Sequence, residues 1–173
     1  TLAPELPGGL EAVARFAREG ATVSAGHTDA TYAQMVAAVR CGVTHTTHHF
    51  NGMRPLHHRE PGAAGAGLLL PELTIELIAD GVHVRPEMIR LAYGLKTADR
   101  VCAVTDAMFC AGLPDGAYGD LVMEGGSVYL TDRSSLAGST LTMIAALRHT
   151  LRFTGLTLQE AIPSFTSVPA RQS

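Results

Sequence analysis

Apolar positions recur along this chain in two rhythms, one near 3.6 residues and one of two, the signatures of helix and strand. Residues 9–20 (GLEAVARFAREG) put Leu10, Val13, Ala14, Phe16 and Ala17 at helical spacing, with Gly20 suited to the C-terminal cap. Ala21 to Gly26 is a short run of small and β-branched residues and reads as a strand. Thr28 and Asp29 suit the N-cap of a helix over Thr31–Arg40, which Gly42 ends. Val43 to Phe50, Leu73 to Ala79 and Arg100 to Thr105 read as three further strands. Pro86 suits the first turn of a helix running to about Leu95. Residues 51–67 (NGMRPLHHREPGAAGAG) are rich in glycine and charge and predict a long loop, a length that compact domains reserve for function or disorder.

The rhythm changes after the fourth strand. Residues 119–138 alternate around Gly125-Gly126, the pattern of a β-hairpin, read as an excursion from the main sheet or a contact with a smaller β domain. Thr140–Phe153 predicts a helix with Leu141, Ile144, Ala145, Leu147 and Leu151 on one stripe. Leu158 to Phe165 is a last short helical patch containing Pro163.

Strand, loop and helix repeated four times point to an α/β fold, a (β/α)8 TIM-like barrel; the chelating residues at its strand ends and the family resemblance given below make it one of the metal-dependent hydrolase type. A whole barrel of this kind takes about 250 residues. The chain has 173. Residues 1–173 are therefore expected to be the C-terminal part of one barrel domain, only about its second half. The hairpin near 119–138 is an insertion, and the first barrel strands are absent; the family resemblance given below implies that most of a small β domain is absent too. A start without Met and an ending on SVPARQS fit that reading.

Composition narrows the function classes. The chain is 46% hydrophobic and 17% charged, as globular domains are. Its net charge of -3 leaves no basic footprint for nucleic acid or an anionic membrane. No apolar run reaches the roughly 18–20 residues of a membrane span, and no secretory signal is visible. Cys41, Cys102 and Cys110 form no CxxC pair and read as free thiols of a reducing cytoplasm.

Four segments close a short apolar run on a chelating or ionisable residue: ATVSAGH on His27, VTHTTH on His48, IELIADGVH on His83 and RVCAVTD on Asp106. Strand C-terminal ends of a parallel barrel share one mouth, where the chemistry sits. His27 follows Ser24-Ala25-Gly26, small residues that admit a ligand, although a satisfied buried histidine explains it equally well. By period two, His48 shares a face with Thr44 and Thr46 while His45 and His49 point the other way, and parity alone does not choose between the sets. A carboxylate at the end of a buried strand is costly unless paired or near a metal, so a functional role outweighs a structural one for Asp106. Arg59 offers a planar fork for phosphate or carboxylate, with His57 and His58 as further donors, against the alternative of a solvated loop arginine. Asn51 offers an amide to a ligand, against the alternative of an Asx turn.

GHTDATY, THHFNGMRPLHHREPG, ADGVHVRPEM, VTDAM and LAGSTLTM, in this order and spacing, resemble the N-acetylglucosamine-6-phosphate deacetylases of the amidohydrolase superfamily, from TLAPE to about residue 148. The resemblance implies a role for each matching position. His27 and His48 match the two histidine ligands of a divalent metal, zinc first, with iron, manganese or cobalt as alternatives. Asp106 matches the catalytic aspartate and His83 the histidine that meets the substrate acetamide and polarises its carbonyl. Arg59 matches the arginine that grips the sugar phosphate, in that family for the neighbouring subunit of a homodimer. Asn51 and Gly52 match a sugar contact, while Asp80–His83 and Leu136, Ala137 and Gly138 match further substrate-lining stretches.

The family's glutamate ligand has no counterpart in this chain. Gly52 stands where the family commonly has Ala, and Cys110 follows TDAM where an Ala is expected; its thiol reads as an inert loop cysteine, with metal contact or oxidation as the alternative. The resemblance implies deacetylation of an amino-sugar phosphate, to glucosamine 6-phosphate and acetate. A non-catalytic sugar-phosphate-binding remnant, or a dihydroorotase-like amidohydrolase, stands as the alternative.

Overall fold

The computed structural model describes residues 1–172 and contains two four-stranded sheets. The first is parallel, with β1 (Val23–Ala25), β2 (Val43–Thr46), β3 (Thr74–Ile78) and β4 (Val101–Val104) side by side in chain order. Helices α1 (Gly9–Arg18), α2 (Tyr32–Cys41), α3 (Gly62–Leu69) and α4 (Pro86–Lys96) precede the four strands in turn. The strands are almost wholly buried, as parallel strands covered by crossover helices must be. Val13, Met35, Ala38, Val43 and Leu73 pack one half of the core, and Ile75, Leu77, Ile89, Ala92 and Val101 the other. The α/β expectation holds. The two edges, β1 and β4, do not meet, so a closed barrel is not formed among the described residues.

Register decides where the chemistry falls. Ala25 is level with Thr46, and Ile78 with Val104, so neighbouring strands stop together and their exit loops emerge on one side.

Several local expectations shift. The N-cap of α2 is Thr31, in a capping box with Gln34, which frees Thr28 and Asp29 for other bonds. The stretch expected as a long loop ends in α3, whose GAAGAGLL sequence mixes strong helix formers with three glycines that each weaken the helix. Packing accounts for it: a Cβ on Gly67 would lie 2.2 Å from His49 Cε1, and one on Gly65 2.5 Å from the Pro61 ring. Helix α3 needs glycine to come this close. Phe16, expected on the buried face of α1, is 48% exposed.

The expected hairpin is the centre of a larger unit. β5 (Gly116–Tyr118), β6 (Leu121–Glu124), β7 (Ser127–Leu130) and β8 (Leu136–Ser139) form an antiparallel sheet. Gly125 and Gly126 join β6 to β7 with φ of 58° and 79°, the pair of left-handed residues a two-residue type I′ turn demands. Cys110 is fully buried with Leu121, Met123 and Val128 in the core of this sheet. Helix α5 (Met143–Thr154) starts later than expected, capped by Thr142, and buries Ala146 and Thr150 while Ile144 is exposed. Short helices α6 (Leu158–Ala161) and α7 (Ser167–Ala170) follow, separated by a 3₁₀ turn. No helix of the described residues is long and apolar enough to cross a membrane.

Candidate active site

His27, His48 and Asp106 each sit two residues beyond the end of their strand, and His83 five residues beyond β3. The first three share an uncommon backbone, with φ of 48° at His27, 30° at His48 and 50° at Asp106. Such conformations cost a non-glycine residue on the order of 1–3 kcal/mol and persist where their surroundings over-determine them. Three strand ends bent the same way around one opening are the structural mark of this site.

Each bend has its own brace. Beside His27, Thr28 N–H donates to Gly52 O (3.0 Å) and Arg54 N–H to Thr28 O (2.9 Å). The Glu5 carboxylate accepts the Thr28 hydroxyl and the Asp29 N–H, and Arg54 grips Asp29 through two bonds of 2.9 and 2.7 Å. That arginine holds the Asp29 carboxyl below the usual range. At His48, the backbone N–H donates to Glu76 Oε2 (3.2 Å) and its carbonyl accepts Asn51 N–H (3.0 Å) and Nδ2 (3.1 Å). Burial pushes the Glu76 carboxyl up, against the opposing pull of the His48 N–H. At Asp106, Ser139 N–H donates to the Asp106 carbonyl (2.8 Å), Ser139 O accepts Met108 N–H (2.9 Å), and Ser139 Oγ donates to Thr105 O.

The parity of β2 does not reach His48. The strand stops at Thr46, and a turn sets the direction of the His48 ring. Thr46 and His49 are both fully buried and joined by a 3.0 Å bond, so His48 does not side with Thr46. Burial holds the His49 imidazole at about 3 and that of His45 at about 4.

His27, His48, His83 and Asp106 line one cavity of about 570 Å³. Asn51 and Gly52 form part of its wall, and Leu136, Ala137 and Gly138 of β8 another part. The Asn51 amide nitrogen is engaged by the carbonyls of His48 and His49 (3.1 and 3.3 Å), so the turn role applies at a residue that also lines the cavity. A Cβ on Gly52, whose φ is 57°, would approach His27 Nδ1 to 3.2 Å. Arg59 is the exception: it is exposed and outside this lining, on a loop that closes through paired bonds between His57 and Glu60. Cys110 does not line the cavity either.

The rings of His27 and His48 stand edge to face, with Nε2 atoms 2.8 Å apart, and His48 Nδ1 is buried without a protein partner. Two imidazole nitrogens converging on one point fit a divalent cation as part of a ligand set. No group of three or more His, Cys, Asp or Glu among the described residues forms a complete one. In the same cavity lining, His83 has its Nδ1 2.6 Å from Asp80 Oδ2.

Sequence reasoning passed over the braces. Glu76 carried a signal, a lone charge inside an apolar strand; Glu5, Arg54 and Ser139 carried none, because their partners lie 23 or more residues away.

A family model described as amidohydrolase matches residues 7–172. The chain is 42% identical to an N-acetylglucosamine-6-phosphate deacetylase of Lysinibacillus sphaericus over 99% of its own length and 45% of the relative's. It is 43% identical to an N-acetylgalactosamine-6-phosphate deacetylase of Escherichia coli O157:H7 over 98% of its length and 46% of that protein's. Among solved structures, a variant N-acetyl-D-glucosamine-6-phosphate deacetylase of Mycobacterium smegmatis, in complex with N-acetyl-D-glucosamine-6-phosphate, superposes with a TM-score of 0.95. It shares 37% identity, over 99% of this chain and 47% of that one. The chain spans about half the length of the curated relatives named here.

Proposed function

Since the chain belongs to the amidohydrolase family across residues 7–172, we propose that it is the C-terminal part of the barrel domain of an N-acetylglucosamine-6-phosphate deacetylase. The observation that carries the reading is the meeting of His27, His48, His83 and Asp106 at one cavity, three of them on left-handed backbone. The family implies a divalent metal, and the two facing imidazoles support His27 and His48 as two of its ligands, zinc being the first choice for nitrogen donors. When bound, such an ion supplies Lewis acidity to the amide carbonyl and acidifies the attacking water.

The chain's own residues supply the rest. Asp106 takes the proton of the attacking water and returns it to the departing amine nitrogen as the C–N bond breaks, giving the amino-sugar phosphate and acetate. His83 faces the carbonyl oxygen, where negative charge develops. Asn51, Gly52 and Leu136–Gly138 hold the sugar. Arg59 binds the phosphate, and its exposure outside its own cavity supports a homodimer in which it serves the second copy. The free thiols of Cys41, Cys102 and Cys110 support a cytoplasmic setting.

The sugar is the finer choice, because a relative of equal similarity is named for the galactose epimer. Comparing kcat/KM for the two 6-phosphates decides it, and a preference for the galactosamine substrate would reverse the choice. Asp106→Asn tests the mechanism: deacetylation is abolished while metal content is retained. Loss of metal instead would make Asp106 chiefly a ligand and refute its role as the proton carrier.

A further inference from the structure

The turn that delivers His83 to the cavity is built around one carboxylate. Asp80 Oδ1 accepts the backbone N–H of Val82 and of His83, both at 2.8 Å, and Oδ2 faces His83 Nδ1 at 2.6 Å. Gly81 carries a φ of 80°, so the chain doubles back and lets one side chain reach all three donors. The pair is enclosed, with Asp80 13% and His83 6% exposed at the side chain. The other ring nitrogen, Nε2, is buried and has no hydrogen-bond partner in the structure. It belongs to a side chain that lines the large cavity, so its partner has to be what enters there.

We infer that Asp80 is a positioning residue that fixes the His83 ring and keeps a proton on Nδ1, so that His83 meets its ligand as the imidazolium of a carboxylate–imidazolium pair, with Nε2–H toward the cavity. The inference rests on the proposed reading of His83 as the group facing the carbonyl.

The chemistry follows from counting protons. An ionised carboxylate only accepts, so a ring bonded to it through Nδ1 carries its proton there. A neutral ring of that tautomer has a bare Nε2, which repels a carbonyl oxygen. A donor at Nε2 therefore exists only in the doubly protonated ring, and the adjacent carboxylate is the counter-ion that stabilises it. Burial raises the Asp80 carboxyl, but the bonds from the His83 ring and from the two backbone N–H groups outweigh it and hold the group below its usual range. The titratable groups sharing the large cavity are His27, His48 and Asp106, while His149 lines the smaller cavity beside Asp80. His149 itself is engaged through Nδ1 with Ala79 O at 3.0 Å.

Nitrogen NMR of the full chain with 15N-labelled histidine tests this without substrate. The His83 Nδ1 signal is expected at the protonated position, because the Asp80 carboxylate faces that nitrogen and can only accept. A bare Nδ1 in the unaltered protein overturns the inference. In Asp80→Asn, the His83 ring signals move; unchanged signals also overturn it. In the deacetylation assay the same variant loses on the order of 10²-fold in kcat, the worth of one oxyanion donor, with KM nearly unchanged. A loss carried by KM alone contradicts positioning for catalysis. Protonated Nδ1 in a protein that deacetylates neither sugar phosphate removes the proposed function and leaves the pair standing.

Discussion

Acidification acts on this protein through two buried histidines. His49 is fully enclosed, bonded through Nδ1 to Thr46 Oγ1 at 3.0 Å, and burial holds its imidazole down at about 3. His45 is 2% exposed and held at about 4. Unfolded, both titrate near 6.5. Below that pH the unfolded chain binds two protons the folded chain refuses, so stability present at neutral pH is lost as the pH falls toward the folded values. Between pH 7.5 and 4.5 each histidine costs between about 2 and 3 kcal/mol, on the order of 5 kcal/mol together. That is comparable to the whole stability of many domains. The lowered carboxyls of Asp29, Asp80 and Glu160 add their losses only near and below their own range, so the histidines dominate this window. Urea unfolding followed by far-ultraviolet circular dichroism across this range, with a chelator present, measures the effect. His49→Leu removes one of the two protons and about halves the loss. A midpoint that stays flat from pH 7.5 to 4.5, or the same slope in both proteins, refutes the reasoning.

Two further substitutions probe packing and binding. Gly67→Ala gains about 1 kcal/mol of helix propensity but drives a methyl to 2.2 Å from His49 Cε1, an overpacking worth about 1–3 kcal/mol, so its urea midpoint falls; Gly94→Ala, with nothing within 4 Å of the new methyl, raises it. A midpoint for Gly67→Ala at or above the unaltered protein's contradicts the close fit of α3 on His49. Arg59→Ala costs about 1.5–3 kcal/mol of transition-state stabilisation, read as a fall in kcat/KM for the phosphorylated sugar, the worth of a charge-assisted bond. Equal loss with unphosphorylated N-acetylglucosamine removes the phosphate role.

The order of elements and the positions of the candidate site residues were legible in the chain because both follow from local rules. Period-two and period-3.6 patterning marked the four parallel strands and most helices, and Pro86 and Gly42 opened and closed theirs as steric limits require. Gly125-Gly126 announced its turn because two consecutive left-handed residues suit little else. His27, His48, His83 and Asp106 stood out because a polar group closing an apolar strand needs a reason to be there.

Tertiary structure alone decided the rest, since it depends on partners distant in sequence. Helix α3 carries glycine at Gly67 because His49 leaves no room for a side chain there. Thr28 and Asp29 leave the cap of α2 because Glu5 and Arg54 hold them elsewhere. The His48 ring takes its direction from a turn braced by Glu76, which strand parity cannot foresee. Only the fold makes β8 a wall of the cavity, pins the Asp106 turn to Ser139 and leaves Arg59 outside. The sequence determined which groups the strand ends carry. Strained backbone, held by hydrogen bonds between distant segments, decided that they face one another.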